Sequence, residues 1–277
     1  LLPGEAARRR AAEGRVVPLL ETAGYGEIVL PIIDFADPYA ALTDAAAARR
    51  SYRFVDREGE LVAIRSDFTP MVARALAPAL AADDLPMRLF YRGDVIRCED
   101  PRLGANRELF QIGAEIVGDD SLAADGEMLT LAAAIVRAFD LIPTIVYNDV
   151  SIAEGLISRA PAIRGALRAK RIDDDVPREL RGVVERLVAG EATLDDVAPF
   201  APSAAARLAD LQPGDGFVLQ LDDVDDAPGY YTGLRFRVYA GRARMRVAQG
   251  GRYDDLYACF GASAPAVGFT FNIDDLL

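Results

Sequence analysis

The chain has 277 residues, 51% of them hydrophobic and 27% charged, the balance of a globular protein with a substantial core, and no apolar run reaches membrane-spanning length. A formal net charge of −12 argues against nucleic acid as the main partner, because phosphate neutralisation needs clustered Lys and Arg. There is no histidine, which excludes histidine-based acid–base chemistry, Ser-His-Asp triads and His-ligated metals, and the two cysteines, Cys98 and Cys259, have no zinc-type CxxC spacing.

Glu5 to Ala23 has helix-forming composition and ends at Gly24, a C′ position. The opening lacks the apolar core of a signal peptide, so a cytoplasmic protein is expected. Residues 27–35, "EIVLPIIDF", read as a buried strand with Pro31 at an edge or bulge. Residues 51–67 read as an antiparallel hairpin turning at Arg57-Glu58-Gly59. A helix follows over 69–80, with Thr69 as N-cap and Pro70 at N1. Two strands are predicted at 87–99 and 107–118, an amphipathic helix at 121–141 and a strand at 143–150.

Residues 151–213 carry helical segments punctuated by proline and glycine, with no convincing strand. Strands return at 216–223, 230–240 and 242–250, followed by a helix from Gly251 and a last strand at 266–274. The expected fold class is α+β, an antiparallel sheet flanked by helices. The expected domains are a core of 1–150 and 214–277 and a helical insertion of 151–213.

Three sets of residues invite a chemical reading. Asp222-Asp223 end an apolar strand, as acid pairs do that hold ribose hydroxyls, but Asp225 and Asp226 follow where a phosphate cradle would stand. Solvated strand-end acids are the favoured reading there. Gly250-Gly251 would admit close backbone approach to a ligand but match neither a P-loop nor a GxGxxG fingerprint. The third set is distributed: Asp67, Thr69, Arg97, Gln111, Glu115 and Tyr231. Gln111 and Glu115 share one face of a strand, and an acid, a hydroxyl, an amide and an arginine complement a free amino acid. From spacing alone, unrelated strand-end polar groups remain the favoured reading.

In order along the chain, these segments resemble the catalytic core of class II histidyl-tRNA synthetases. "EIVLPIIDF" looks like the family's first motif, a strand at the dimer interface. Arg65 to Thr69 is similar to its Arg-Pro-Glu-x-Thr element. Residues 91–118 resemble the second motif, ending in Gln-x-Gly-x-Glu as Gln111 to Glu115. "GYYTG" and residues 249–269 resemble the histidine-binding motif and the lead-in to the third motif. The resemblance implies that Asp67, Thr69 and Gln111 hold the α-ammonium of histidine and that Glu115 and Tyr231 read its imidazole. It places Arg97 near the carboxylate and the ATP α-phosphate. Tyr230 completes the expected histidine-binding set.

The departures carry the functional expectation. Asp226 to Gly229 stand where the synthetases have Arg-Gly-Leu-Asp, Asn272 to Asp275 where they have Gly-x-Glu-Arg, and Ala105 where a triphosphate-binding arginine is usual. Activation of an amino acid needs cations aimed at the charge developing on the phosphates. The pocket is therefore expected to bind an amino acid without activating it. That combination resembles the regulatory subunits of heteromeric ATP phosphoribosyltransferase in histidine biosynthesis. It implies no catalytic residue, metal or cofactor of its own and a homodimer within a hetero-oligomer. The partner would be a short-form catalytic subunit, and L-histidine the feedback effector. The alternative is a divergent, ATP-dependent histidyl-tRNA synthetase-like ligase.

Overall fold

Two ten-residue strands with opposite demands on their two faces organise the molecule. In the computed structural model, which describes residues 1–42, 51–98, 106–211, 213–224, 230–241 and 245–277, they pair antiparallel in full register, with Phe90 opposite Ala114 and Tyr91 opposite Gly113. In chain order the elements begin with α1 (Pro3–Thr22), β1 (Gly26–Glu27), β2 (Ile33–Phe35), β3 (Arg53–Val55), β4 (Leu61–Ile64) and α2 (Thr69–Leu76). The two long strands, β5 (Met87–Ile96) and β6 (Glu108–Val117), follow, then α3 (Leu122–Arg137) and β7 (Pro143–Asp149). Five helices come next: α4 (Val150–Ile157), α5 (Ala162–Ala169), α6 (Arg178–Ala189), α7 (Leu194–Val197) and α8 (Pro202–Asp210). The chain returns to the sheet with β8 (Phe217–Leu219), β9 (Leu234–Ala240), β10 (Met245–Arg252) and β11 (Ala266–Asn272).

The main sheet has the order β1-β5-β6-β11-β10-β9-β7-β8. Its six inner strands are antiparallel, and the short edge strands β1 and β8 pair parallel. A second sheet, β2-β4-β3, holds the predicted hairpin. Side chains alternate across a strand. On β6, Phe110, Ile112, Ala114 and Ile116 enter one apolar cluster with Val16 and Leu20 of α1 and Met128 and Ile135 of α3. The helices after β7 join the same cluster through Ile152, Leu156, Ile163, Leu167, Val183 and Leu208. Every second residue of β6 is thereby committed to the core, and Gln111, Gly113 and Glu115 are left on the opposite face.

Several sequence expectations need correction. Residues 27–35 are not one buried strand: Glu27 pairs with β5, Ile33–Phe35 pair with β4, and the stretch between belongs to neither sheet. Its apolar side chains divide: Leu30 is buried with Phe68 and Tyr91, while Val29 and Ile32 face outward, 85% and 59% exposed. Gly251 does not open a helix. Both it and Gly250 sit inside β10, bonded on each side to β9 and β11, and a short 3-10 turn at Tyr257–Phe260 stands where the helix was expected. The α3 helix stops at Arg137, short of residue 141, and Asp140 beyond it has φ 59°. The strand predicted at 216–223 is only Phe217–Leu219. Among the described residues no helix is long and apolar enough to cross a membrane.

Arg65 joins the two sheets. It is 7% exposed and stacks 4.0 Å from the centre of the Phe68 ring. Its guanidinium donates to the carbonyls of Leu30 (3.0 Å) and Pro31 (3.3 Å), and twice to that of Asp94 (2.9 and 2.8 Å). A planar fork of donors suits such a junction, which a lysine could not span.

Candidate functional site

The face of the sheet turned away from the core forms the floor of a cavity. Its wall includes Asp67, Thr69, Arg97, Gln111, Tyr230 and Tyr231, six of the seven residues expected to bind histidine. Glu115, the seventh, lies beneath them and is 1% exposed. Residues distant in sequence meet because β6 supplies Gln111 and Glu115, the start of α2 supplies Asp67 and Thr69, and the approach to β9 supplies the tyrosines.

Thr69 is the first helical residue, not the N-cap, which is Phe68. The physical reason lies in the site: the Thr69 hydroxyl donates to Glu115 Oε1 at 2.8 Å, while Asp67 Oδ1 accepts the Thr69 backbone N–H at 3.2 Å. The other Asp67 oxygen accepts from the Tyr230 hydroxyl at 3.2 Å. Tyr230 packs 5.2 Å from Tyr231 and 5.6 Å, edge-on, from Tyr253. Arg97 donates from Nε to the Ser66 carbonyl at 3.0 Å, which holds its guanidinium in the wall. Gln111 donates from Nε2 to Asn272 Oδ1 at 2.9 Å, and its own carbonyl oxygen is buried without a hydrogen-bond partner.

Glu115 is the electrostatic centre. Burial pushes its carboxyl up to about 8, against the opposing effect of hydrogen bonds from Tyr253 and Thr69, with the Asp67 charge pushing further up. An acid whose folded value is raised binds a proton that the unfolded chain has already lost. Its contribution to stability is full below the ordinary carboxylate range and disappears as pH rises through about 8. The ligand-free protein is expected to lose on the order of a few kcal/mol between roughly pH 4.5 and 8. Glu115→Gln should flatten that decline in urea unfolding across the range; equal slopes in the two proteins would remove Glu115 as its cause.

Residues that sequence reasoning missed complete the floor. The Tyr253 hydroxyl donates to Glu115 Oε2, beside the oxygen that Thr69 occupies. Tyr91 is fully buried, stacks on Phe68 at 4.3 Å and hydrogen-bonds to Thr270. Its ring crosses Gly113, where a Cβ would stand 2.3 Å from its hydroxyl. Likewise a Cβ on Gly251 would meet the Tyr231 ring at 2.7 Å. Gly251 therefore makes room for a tyrosine, whereas Gly250 makes room for the Gly268 carbonyl and the Phe236 ring. Tyr253 stands two residues beyond Gly251, so alternation beyond the glycines was the available signal.

The acid pair is also corrected. Asp222 is 8% exposed and paired with Lys170. Asp223 sits against Arg235 (2.7 Å) and Arg237; burial would raise its carboxyl, but the two guanidiniums hold it below the usual range. These acids, Asp222 buried and Asp223 partly so, are ion-pair partners rather than solvated strand ends. Asp225, Asp226, Ala227, Pro228 and Gly229, and Ala105, lie outside the described residues.

Comparisons with known proteins agree with this fold. Residues 1–177 and 166–276 match the histidyl-tRNA synthetase family. The structure is similar to an ATP phosphoribosyltransferase regulatory subunit/histidyl-tRNA synthetase from Bacillus halodurans, with TM-score 0.87 and 23% identity over 99% of this chain and 79% of that one. A histidine–tRNA ligase subunit from Alicyclobacillus acidocaldarius gives TM-score 0.78 and 27% identity over 100% and 93%. The mixed sheet, its helical cover and the cavity on its open face thus define a class II, histidyl-tRNA synthetase-like protein. Curated relatives divide the class further. ATP phosphoribosyltransferase regulatory subunits of Geobacter metallireducens and Symbiobacterium thermophilum are 33% and 34% identical over the whole of this chain, which spans 71% and 77% of their lengths. The chain belongs to the family of ATP phosphoribosyltransferase regulatory subunits.

Proposed function

We propose that the cavity binds L-histidine and that the chain carries feedback inhibition to a short-form catalytic ATP phosphoribosyltransferase subunit without itself catalysing a reaction. The observation that carries the ligand assignment is the buried, unpartnered Gln111 carbonyl beside Asp67 and Thr69. Three acceptors at one point suit an ammonium, which has three donors. Glu115, flanked by tyrosine hydroxyls, suits an imidazole, which can donate or accept at either nitrogen. Arg97 is a cation in the wall for the carboxylate, with Arg246 the other arginine that lines it. Regulation follows if histidine favours one assembly state over another.

Titration calorimetry of the purified chain with L-histidine, and with ATP in parallel, tests the reading. Saturable histidine binding without ATP binding is expected. Asp67→Ala and Glu115→Ala should each weaken histidine binding by tenfold or more and desensitise the assembled complex. ATP binding with pyrophosphate exchange would return the ligase reading; unchanged inhibition in both variants would remove the site.

The same reading includes a homodimer. The outward side chains Val29, Ile32, Ile33, Phe35 and Val55 support it, since contiguous exposed apolar surface of this kind marks association. Ile32→Asp is expected to sediment as a smaller species than wild type with its circular dichroism unchanged. Identical sedimentation would exclude this face.

A further inference from the structure

One amide in the cavity wall must present its oxygen, not its nitrogen, to a ligand's ammonium, and the orientation of an amide is decided by what lies beside it. Beside Gln111, and like it lining the cavity, stands Asn272, its cross-strand partner on β11. Gln111 Nε2 donates to Asn272 Oδ1 at 2.9 Å, and Asn272 Nδ2 donates to Asp275 Oδ2 at 3.2 Å. The chain of groups ends on a carboxylate, which when ionised can only accept. Asn272 must therefore turn its NH2 to Asp275 and its oxygen to Gln111. Gln111 must turn its own NH2 to Asn272, and its carbonyl oxygen is left, buried and unpartnered, in the cavity wall.

We propose that Asp275 and Asn272 are positioning residues that fix the hydrogen-bond polarity of Gln111, and so make the site select an α-ammonium over an α-hydroxyl. The assignment rests on the amino-acid reading above. An ammonium gains from the outward carbonyl of Gln111 and is opposed by an outward NH2. A hydroxyl oxygen can accept from that NH2, so losing the polarity costs the hydroxyl ligand far less. Asn272 and Asp275 stand where the resemblance to the synthetases calls for glycine and arginine. An arginine at 275 is a donor, and at that position it would leave the relay without its terminal acceptor.

The test compares L-histidine with imidazole-lactate, its α-hydroxy analogue, by calorimetry on the full chain. Wild type should prefer histidine by tenfold or more. Asn272→Leu, which removes the relay at similar volume, and Asp275→Lys, an exposed position offering a donor, should each reduce that preference about tenfold. Asn272→Asp keeps an acceptor for Gln111 and should preserve it. Side-chain amide NMR of the ligand-free chain should show the Gln111 NH2 protons protected from solvent in wild type and in Asn272→Asp, and exchanging in Asn272→Leu. An unaltered preference in Asn272→Leu and Asp275→Lys, or an equal loss of both ligands, overturns the relay alone. Wild type that binds neither ligand overturns the amino-acid reading and the proposal with it.

Discussion

Arg252→Ala is expected to destabilise the protein by about 3–5 kcal/mol, the range for removing one member of a buried ion pair. Arg252, the last residue of β10, is 3% exposed, and its main partner Asp125 on α3 is 2% exposed. The guanidinium reaches Asp125 Oδ1 from Nε at 2.9 Å and from the second terminal nitrogen at 2.7 Å. It also donates to the Asp119 carbonyl at 3.0 Å and to Asp254 at 3.1 Å. Truncation leaves the Asp125 carboxylate inside with Arg207 as its remaining guanidinium, and that arginine is partly exposed. Arg207→Ala, which leaves the Arg252 contacts intact, should cost well under half as much. Urea unfolding of the two variants separates them; equal losses would show that burial of the pair is not what matters. The alanine keeps one main-chain contact that bears on the site. The Arg252 carbonyl accepts the Thr232 N–H at 2.8 Å, which anchors the chain immediately after Tyr230 and Tyr231.

Gly268→Ala is expected to abolish ligand binding and to cost about 1–3 kcal/mol, the range for overpacking a close-packed interior. Gly268 lies on β11 opposite Glu115, and a Cβ there would stand 1.5 Å from Glu115 Oε2, 2.5 Å from its Cδ and 2.7 Å from the Ala114 carbonyl oxygen. The carboxylate cannot retreat, because Thr69 holds one oxygen and Tyr253 the other. Residues in contact are not additive. In the double variant Gly268→Ala/Glu115→Ala, most of the thermal stability lost in the single variant should return, while histidine binding stays absent. A double variant as unstable as Gly268→Ala would place the clash on the backbone rather than on Glu115.

Both predictions depend on contacts between elements far apart in sequence, and this marks the limit of what the sequence made legible. The alternation of β6 was readable because a single strand encodes it: Gln111 and Glu115 do share one face. The hairpin turning at Gly59 was readable from its local turn chemistry, and φ there is +92°. The seven residues expected to bind histidine followed from resemblance, since spacing alone favoured unrelated polar groups. Asn272 was not legible as Gln111's partner, because only the register of β6 against β11 places them opposite each other. The outward turn of Val29 and Ile32 was hidden for a different reason. An apolar run looks the same whether it is buried in its own chain or left uncovered. The acids at 222 and 223 were misread because Lys170, Arg235 and Arg237, their partners, come from other elements.

The junction made by Arg65 sets how this molecule responds to ionic strength. Four of its contacts end on main-chain carbonyls, inside the protein, so no mobile counterion competes for them. Exterior pairs such as Arg164 with Glu154 are open to solvent and weaken as the Debye length shortens. High salt should therefore loosen the periphery first and leave the two sheets hinged together, with Asp67 and Thr69 still beside Arg65.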